Sequence, residues 1–374
     1  MLRKPFTLIK IGDIQVRADL LWVFFFGLLF WMLGGSYLPA ISPELGALDT
    51  WTLALASTAF LAISVAAHEL GHSLTSKRLG IPVRAVTLHI FGGLSQLERE
   101  PTRARDEFLI ALAGPAVNLG LGVAFWGLIW AGVANVGPKL TTFGRLLATA
   151  NLLLGGVNLV PALPLDGGRM IRALVWGKTG DERLGTRVGA ALGRLAAALL
   201  YGWGTATILW GDLAIGIWIM LVGWFMQAAV SAAERDLQLR SALAGLVAED
   251  VMITDCPIAR PTLTLQQFVN EVVKVTGRRY FPVSGGGPII GVITVRDIAI
   301  IPLNRWTDTT VGMAMTPLPK LPFVPPGMQA VEAIRQMRLR NQDQIVVLDG
   351  GSWMGMITWS HLLKQAQIHA RPGP

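Results

Sequence analysis

Long apolar runs separated by short polar stretches fill the larger, N-terminal part of the chain. Each run is close to the length of about 20 residues that a helix needs to cross a bilayer. The pattern therefore predicts a polytopic α-helical membrane domain with about six transmembrane helices. The predicted spans cover residues 19–38, 52–76, 107–132, 143–162, 189–210 and 213–232.

Beyond residue 234 the apolar runs become short, and a weak internal repeat with a period of about 64 residues carries Thr294 onto Thr358. The corresponding segments are 280–283 with 344–347, and 289–297 with 353–361. Each copy has the pattern of a short strand, a helix, two strands and a helix, which predicts a pair of α+β units that bury each other's sheets. The expected domains are a membrane domain, 1–240, and two repeats, 241–305 and 306–374.

Composition and charge agree with a membrane protein. The 374 residues are 52% hydrophobic and 15% charged, with a formal net charge of +8, which excludes an ordinary soluble enzyme. The basic residues lie in alternate loops, since the loop 39–50 has no Lys or Arg whereas the loop 77–105 has one Lys and five Arg. This distribution follows the positive-inside rule, so the N-terminus and the C-terminal repeats are expected in the cytoplasm, and no nucleic-acid partner is expected. The single cysteine, Cys256, excludes disulfides within the chain and argues against a Cys-based zinc site.

The second predicted span contains the motif His68-Glu69-Leu-Gly-His72. Histidines four positions apart on a helix project from one face and can share a metal ion, and the glutamate between them can activate water. The preceding residues 53–67 carry no charge, and ionisable side chains inside such an apolar helix are costly unless they are functional. The spacing predicts a zinc site, and the alternative is a pair of histidines hydrogen-bonded within a helical bundle.

A catalytic zinc site needs a third protein ligand. The second and fourth spans both run towards the cytoplasm in the predicted topology, and His68 lies about 14 Å before Lys77, which marks the inner end of the second span. At the inner end of the fourth span, prolines and glycines in the segment 158–168 break the helix and leave Asp166 at a comparable depth. Asp166 is therefore the predicted third ligand, and the alternative is an aspartate that caps the next helix.

Asn118 is a polar residue well inside the third apolar span. It can hydrogen-bond a reacting carbonyl, or it can join neighbouring helices. Both interpretations stay open on the residues alone.

The loop between the second and third spans has a different pattern. Val86, Leu88 and Ile90 alternate with polar residues, and Gly92-Gly93 offers a turn. The segment 82–100 is therefore expected to form a hairpin or looped strand, whose edge can pair with an extended peptide. His89 within it is interpreted as a local hydrogen-bonding residue and not as a ligand.

These motifs together resemble those of the site-2 protease family, the intramembrane zinc metalloproteases, in its subgroup with a C-terminal pair of cystathionine-β-synthase (CBS) domains. The resemblance rests on HELGH at 68–72, AGPAVN at 113–118 and NLVPALPLDGG at 158–168, and it covers nearly the whole chain. It implies one zinc ion per chain held by His68, His72 and Asp166, with Glu69 as the general base. It also implies that Asn118 stabilises the tetrahedral intermediate, and that Phe91–Gly93 lies in the strand region near the substrate path.

The resemblance further implies regulated intramembrane proteolysis of membrane-anchored protein substrates within the lipid bilayer. CBS pairs of the family often bind adenine nucleotides, and Gly291-Val-Ile-Thr294-Val-Arg-Asp297 keeps the pattern for ATP or AMP. In the second repeat His361 stands where the aspartate is expected. The alternative for the pair is a nucleotide-free module that joins two chains into a homodimer or that inhibits the enzyme.

A function of a different class also fits the composition. A transporter or channel gated by CBS domains would use intramembrane His, Glu and Asp to line an ion path. The match of these residues to zinc-ligand spacing favours the protease.

Overall fold

The computed structural model describes residues 5–89, 92–97, 101–132, 137–340 and 342–369. The chain divides into two compact units, Met1–Arg235 and Asp236–Pro374. The predicted domain limits at 240/241 and 305/306 remain predictions.

The first unit is mainly helical. Helix α1 is extended by a π-helical turn, Leu33–Tyr37, into the short helix α2. The helices are α1 (Leu20–Met32), α2 (Leu38–Ile41), α3 (Ala47–Arg78), α4 (Ala104–Trp130), α5 (Pro138–Asn158), α6 (Asp166–Thr179), α7 (Glu182–Leu209) and α8 (Leu213–Ala242), and the last of these runs on into the second unit. Helix α4 packs against α3, α5 and α6, so it lies at the centre of the bundle.

Within the described residues, 5 helical segments are long and apolar enough to cross a membrane. They are Leu20–Ile41, α3, α4, α5 and α8. The remaining predicted span, 189–210, lies in α7, which is long enough but is diluted by glycines, threonines and Arg194. The prediction of a polytopic helical membrane protein is confirmed, with α7 as the span that is less apolar than expected.

Large apolar side chains cover the outside of these helices. Trp130 and Trp210, at the C-terminal ends of α4 and α7, are 89% and 82% exposed. Exposure of so many large apolar side chains to water would be strongly unfavourable, whereas lipid solvates them. Tryptophans are common where helices leave the hydrocarbon.

A four-stranded sheet accompanies the helices, in the order β1-β2-β3-β4. Strand β2 pairs antiparallel with β1 and parallel with β3, and β3 pairs antiparallel with β4. The strands are β1 (Phe6–Ile11), β2 (Ile14–Ala18), β3 (Val83–His89) and β4 (Gly92–Leu97). The hairpin expected at 82–100 is therefore present, but the turn predicted at Gly92-Gly93 is wrong, because these glycines pair with His89 and Leu88 inside the ladder. Ile90 and Phe91, between the strands, lie outside the described residues.

The sheet packs against the helix that carries the histidine motif. Val86 and Leu88 of β3 are buried in one cluster with Ala66 and Leu70 of α3. Lys77 near the end of α3 also pairs with Asp13 in the β1–β2 turn at 3.1 Å. At about 100° per residue, Glu69 projects between the helix face that meets the sheet and the face that carries His68 and His72.

The second unit contains two three-stranded sheets with short helices. The sheet orders are β5-β6-β7 and β10-β9-β8. The strands are β5 (Tyr280–Val283), β6 (Gly291–Thr294), β7 (Thr316–Pro317), β8 (Phe323–Val324), β9 (Gln344–Asp349) and β10 (Ser352–Thr358). The helices are α9 (Ala248–Val251), α10 (Leu265–Phe268), α11 (Lys274–Thr276), α12 (Val295–Ala299), α13 (Val311–Ala314), α14 (Ala330–Leu339) and α15 (Trp359–His369), with a π-helical turn at Val269–Val273 and 3₁₀ turns at Leu303–Arg305 and Leu318–Lys320.

In this unit, a segment near the start of each repeat pairs with a strand of the other repeat. Strand β7, near the start of the second copy, pairs with β6 of the first, and Ile253, near the start of the first copy, bridges Met356 of the second. Val292 and Val346 from the two sheets share a buried cluster. Each copy therefore completes the other, as expected from a repeat whose sheets cannot be buried alone.

Candidate active site

Helix α3 supplies a group of ionisable side chains that are withdrawn from solvent. His68, Glu69 and His72 are each 6% exposed, and the apolar segment that precedes them belongs to a candidate membrane span. Burial of such groups is costly unless they have partners, so their contacts decide what the site can do.

The predicted ligand atoms converge. His68 Nε2 lies 3.1 Å and His72 Nε2 lies 3.2 Å from the same Asp166 oxygen, Oδ2, and the two Nε2 atoms are 3.1 Å apart. Residues separated by nearly a hundred positions are thus brought together in one buried group. The alternative for Asp166, a simple helix cap, does not describe this geometry, since its side chain is directed at both histidines.

The break after α5 delivers Asp166 to this position. Helix α5 ends at Asn158, the chain turns, and Asp166 becomes the first residue of α6. Helix α7 packs against this turn. Gly189 and Gly193 allow Leu163 to approach the α7 backbone closely, and a Cβ at either glycine would crowd Leu163. The predicted helix break is correct, and a new helix, α6, begins at Asp166.

A relay of amides fixes the orientation of His68. Asn151 donates its amide N–H to the Leu147 carbonyl at 2.9 Å, which leaves its Oδ1 to accept from Asn118 Nδ2, also at 2.9 Å. Asn118 Oδ1 must then accept the proton on His68 Nδ1, at 2.5 Å. His68 Nε2 is therefore left with a lone pair that faces the group.

A backbone carbonyl fixes the ring orientation and the tautomer of His72 in the same way. Its Nδ1 lies 2.6 Å from the carbonyl oxygen of Ile110, which can only accept, so Nδ1 carries the proton and Nε2 the lone pair. Pro115 in the same stretch of α4 has no N–H, so the carbonyl of Ala111, next to that of Ile110, lacks its helical donor.

With both imidazoles neutral, as metal ligation requires, three acceptor atoms face one another at 3.1–3.2 Å with no proton between them. This arrangement is repulsive unless a cation occupies it. Zinc ligands in a tetrahedron, at about 2.0–2.1 Å from the metal, lie about 3.4 Å apart. The two imidazoles and one carboxylate thus fit a catalytic zinc ion by donor type and by spacing.

Gly114 on α4 makes room for the group. A Cβ at this position would collide with Nε2 of both His68 and His72. The glycine of the AGPAVN motif is thus needed for close approach of α4 to the site.

A second cluster of charges borders Asp166. Glu107 of α4 is only 1% exposed and pairs with Arg169 and Arg172 of α6, and Arg169 also reaches Asp166 Oδ1 at 3.6 Å. This cluster is not predicted from the sequence, because two arginines between apolar spans indicate membrane topology and not a specific partner. The available signal was a glutamate at the start of an apolar helix.

The predicted nucleotide residues lie together at the end of β6. Asp297 Oδ2 accepts hydrogen bonds from the backbone N–H and the hydroxyl of Thr294, at 2.9 and 2.8 Å, and thereby caps α12. In the second repeat, burial and the nearby cations Lys364 and Arg278 lower the pKa of His361, so this side chain is neutral at pH 7. Their predicted contacts with nucleotide stay predictions.

A buried His–His–Asp group beside a glutamate, on helices of membrane length, defines a membrane-embedded metallohydrolase. The family model of peptidase family M50 matches residues 56–141 and 132–200, and that of the CBS domain matches residues 247–303. The chain belongs to peptidase family M50, the site-2 proteases.

Similar proteins cover most of the chain. A protein from Synechocystis sp. named as a zinc metalloprotease, sll0528, is 33% identical over 88% of this chain and 87% of its own length. Rip3 of Mycobacterium tuberculosis, also named as a zinc metalloprotease, is 32% identical over 95% of this chain and 90% of its own. The solved site-2 protease from Methanocaldococcus jannaschii is 28% identical, covers 62% of this chain and 95% of its own, and has a TM-score of 0.41.

The protein is therefore an integral membrane zinc metalloprotease with C-terminal CBS sequence, as the sequence predicts. Membership of a peptidase family sets aside the alternative of a CBS-gated transporter or channel.

Proposed function

We propose that the protein cleaves transmembrane segments of membrane-anchored proteins, with one zinc ion per chain, in regulated intramembrane proteolysis. The observation that carries the proposal is the convergence of His68, His72 and Asp166 on a buried part of α3, a helix long and apolar enough to span the bilayer. A cleavage site at this depth suits a peptide bond that lies within a membrane.

Each side chain has a role that follows from its contacts. His68, His72 and Asp166 would hold zinc, which as a Lewis acid polarises a carbonyl and lowers the pKa of water. Glu69, the residue next to His68 on α3 and equally buried, would take a proton from the attacking water and pass it to the leaving amide nitrogen. The hydrogen bond from His68 supports a positioning role for Asn118, and its predicted action on the tetrahedral intermediate stays a prediction.

A transmembrane substrate must unwind before it can be cleaved, because the peptide groups of a helix are already hydrogen-bonded and shielded. Within the described residues, β4 pairs on one side only, with β3. An extended substrate segment that pairs with the open side of β4 would be held beside the α3 face next to Glu69.

The orientation proposed for the chain places both its N-terminus and its CBS repeats in the cytoplasm. The basic loops support it, and so do Trp130 and Trp210, which would then both lie at the outer membrane surface. Reporter fusions after Gly46 and after Gly180 would lie on opposite sides of the membrane.

The regulation proposed for the CBS repeats is binding of ATP or AMP at Thr294 and Asp297, where the Gly-h-h-Thr-x-x-Asp pattern is intact. A nucleotide can change activity only if it binds one arrangement of the repeats more tightly than another. A homodimer formed through the repeats is the alternative role for this unit.

The Glu69→Gln variant tests the catalytic proposal. It should retain zinc and lose about 10²-fold or more in cleavage of a co-expressed single-span membrane protein, since a general base is removed while the metal ligands stay. His68→Ala and Asp166→Ala should lose zinc as measured by mass spectrometry of the metal, and His89→Ala serves as the control that keeps it. Full zinc occupancy and turnover in Asp166→Ala would contradict the ligand assignment.

A further inference from the structure

One stripe of residues on helix α4 lies along the ligand group formed by His68, His72 and Asp166. Glu107, Ile110, Gly114 and Asn118 are spaced so that they share one helix face. Ile110 and Asn118 accept from the two histidines, and Gly114 leaves space for them. Glu107 is the member of the stripe for which the proposed reaction has no role.

The buried Glu107 carboxylate organises two arginines of α6. Its Oε1 accepts from Arg169 Nε at 3.1 Å and from Arg172 at 2.6 Å. A carboxylate that is 1% exposed would be strongly unfavourable without such partners. The pairing therefore holds both guanidinium groups at fixed positions.

Arg169 directs a second guanidinium nitrogen at a predicted zinc ligand. Its terminal Nη1 lies 3.6 Å from Asp166 Oδ1, which is the oxygen turned away from the histidines. Oδ2 of the same carboxylate faces both Nε2 atoms. The two oxygens of Asp166 thus face different groups: Oδ1 faces the Arg169 guanidinium, and Oδ2 faces the two histidines.

This division has a chemical consequence. A carboxylate can bind a metal through one oxygen or through both, and a catalytic zinc site requires a position that the protein leaves open. A guanidinium that attracts Oδ1 favours ligation through Oδ2 alone and fixes the rotation of the carboxylate.

We propose that Arg169, held in place by Glu107, is a positioning residue that sets how Asp166 binds zinc. The inference rests on the proposed zinc site and deepens it. It makes Glu107 and Arg169 part of the support of the metal centre, in addition to their role in joining α4 to α6.

Arg172 provides a matched control. Both arginines lie on α6, pair with the same Glu107 oxygen and have similar side-chain exposure, 28% for Arg169 and 25% for Arg172. Only Arg169 is paired with Asp166. Removal of either one leaves Glu107 paired with the other, so the two variants differ mainly in the contact with Asp166.

The experiment compares Arg169→Met with Arg172→Met in the full-length protein in detergent, with zinc affinity measured by competition with a chelator. Arg169→Met should bind zinc about 10- to 100-fold more weakly, the usual effect of losing a group that orients a ligand. Arg172→Met should stay within about threefold of the wild type. Equal losses in the two variants, or an unchanged affinity in Arg169→Met, would overturn the proposal. Zinc affinity is used because Glu69 also contributes to the electrostatic field at Arg169, so activity would mix two effects.

If Arg169→Met does not fold, Arg169→Lys replaces it. A single ammonium cannot reach Glu107 and Asp166 as the guanidinium does, so about tenfold weaker zinc binding is again expected, and wild-type affinity would overturn the proposal. Failure of the Arg169 proposal can be told apart from failure of the proposed function, because only the latter is contradicted by a wild-type protein that binds no zinc.

Discussion

Asn118 and Asn151 show how much of the site depends on single side chains that touch no metal. Both are fully buried at 0% exposure, and their amides join the Leu147 carbonyl on α5 to His68 on α3 through α4. Each hydrogen bond in the relay determines which atom of the next residue must donate. The lone pair on His68 Nε2 is therefore determined by a carbonyl on another helix.

Replacement of these asparagines separates the two roles considered for Asn118. If Asn118 positions His68, Asn118→Ala should weaken zinc binding about 10-fold or more, and Asn151→Ala should weaken it in the same direction. Chelator competition measures both affinities. A variant Asn118→Ala with unchanged zinc affinity but a reduced kcat would instead assign the side chain to the tetrahedral intermediate, as the family resemblance implies.

At the scale of elements, the four-stranded sheet is the part of the membrane unit that departs most from a simple helical bundle. Its strand β4 presents an open side within the described residues, while β3 anchors the sheet on α3 through Val86 and Leu88. An unpaired strand edge attracts another strand, which is a hazard for most proteins and an advantage for one that must hold an unwound substrate.

Proline at neighbouring positions of β4 tests this role. Successive N–H groups of a strand point to opposite sides, so one of Leu94→Pro and Ser95→Pro removes a donor from the β3 ladder and the other from the open edge. The variant that keeps zinc affinity and thermal stability should cleave a single-span substrate at least about tenfold more slowly. If both variants keep wild-type cleavage, β4 does not hold the substrate.

At the scale of the whole molecule, the second unit is built as an exchanged pair. Because Ile253 and β7 each complete the sheet of the other copy, neither repeat is expected to be stable alone. A ligand at Thr294 and Asp297 would act on the exchanged pair as one body.

Nucleotide binding is tested most sharply by Asp297→Asn in the full-length protein. Asparagine keeps an oxygen that can cap α12, so the loss of charge is separated from the loss of the cap. Calorimetry should show ATP or AMP binding to the wild type and at least about fivefold weaker binding to the variant, with His361→Ala as the control that remains close to wild type. No binding of any adenine nucleotide at millimolar concentration would leave assembly or inhibition as the role of the repeats.

The sequence predicts those features that depend on local spacing. Histidines four apart share a helix face wherever the helix lies, so His68 and His72 were identifiable without a fold. Asp166 could be placed at a comparable depth because loop charges order the spans. The β1–β2 hairpin is not among the predicted elements, although the dipeptide Gly12-Asp13 at its turn is a local signal, and Gly12 has φ +59° there.

The chain by itself therefore determined the membrane class and the duplicated C-terminal unit, and it predicted the metal ligands, because helix periodicity, bilayer length and internal repetition are all properties of the linear sequence. Only the tertiary structure decided that Asn151 orients His68 through Asn118, and that Glu107 holds Arg169 against Asp166. These contacts join residues tens of positions apart on different helices, and their geometry depends on how α4 packs between α3, α5 and α6. No local pattern specifies such packing, since each of these residues alone is compatible with many roles.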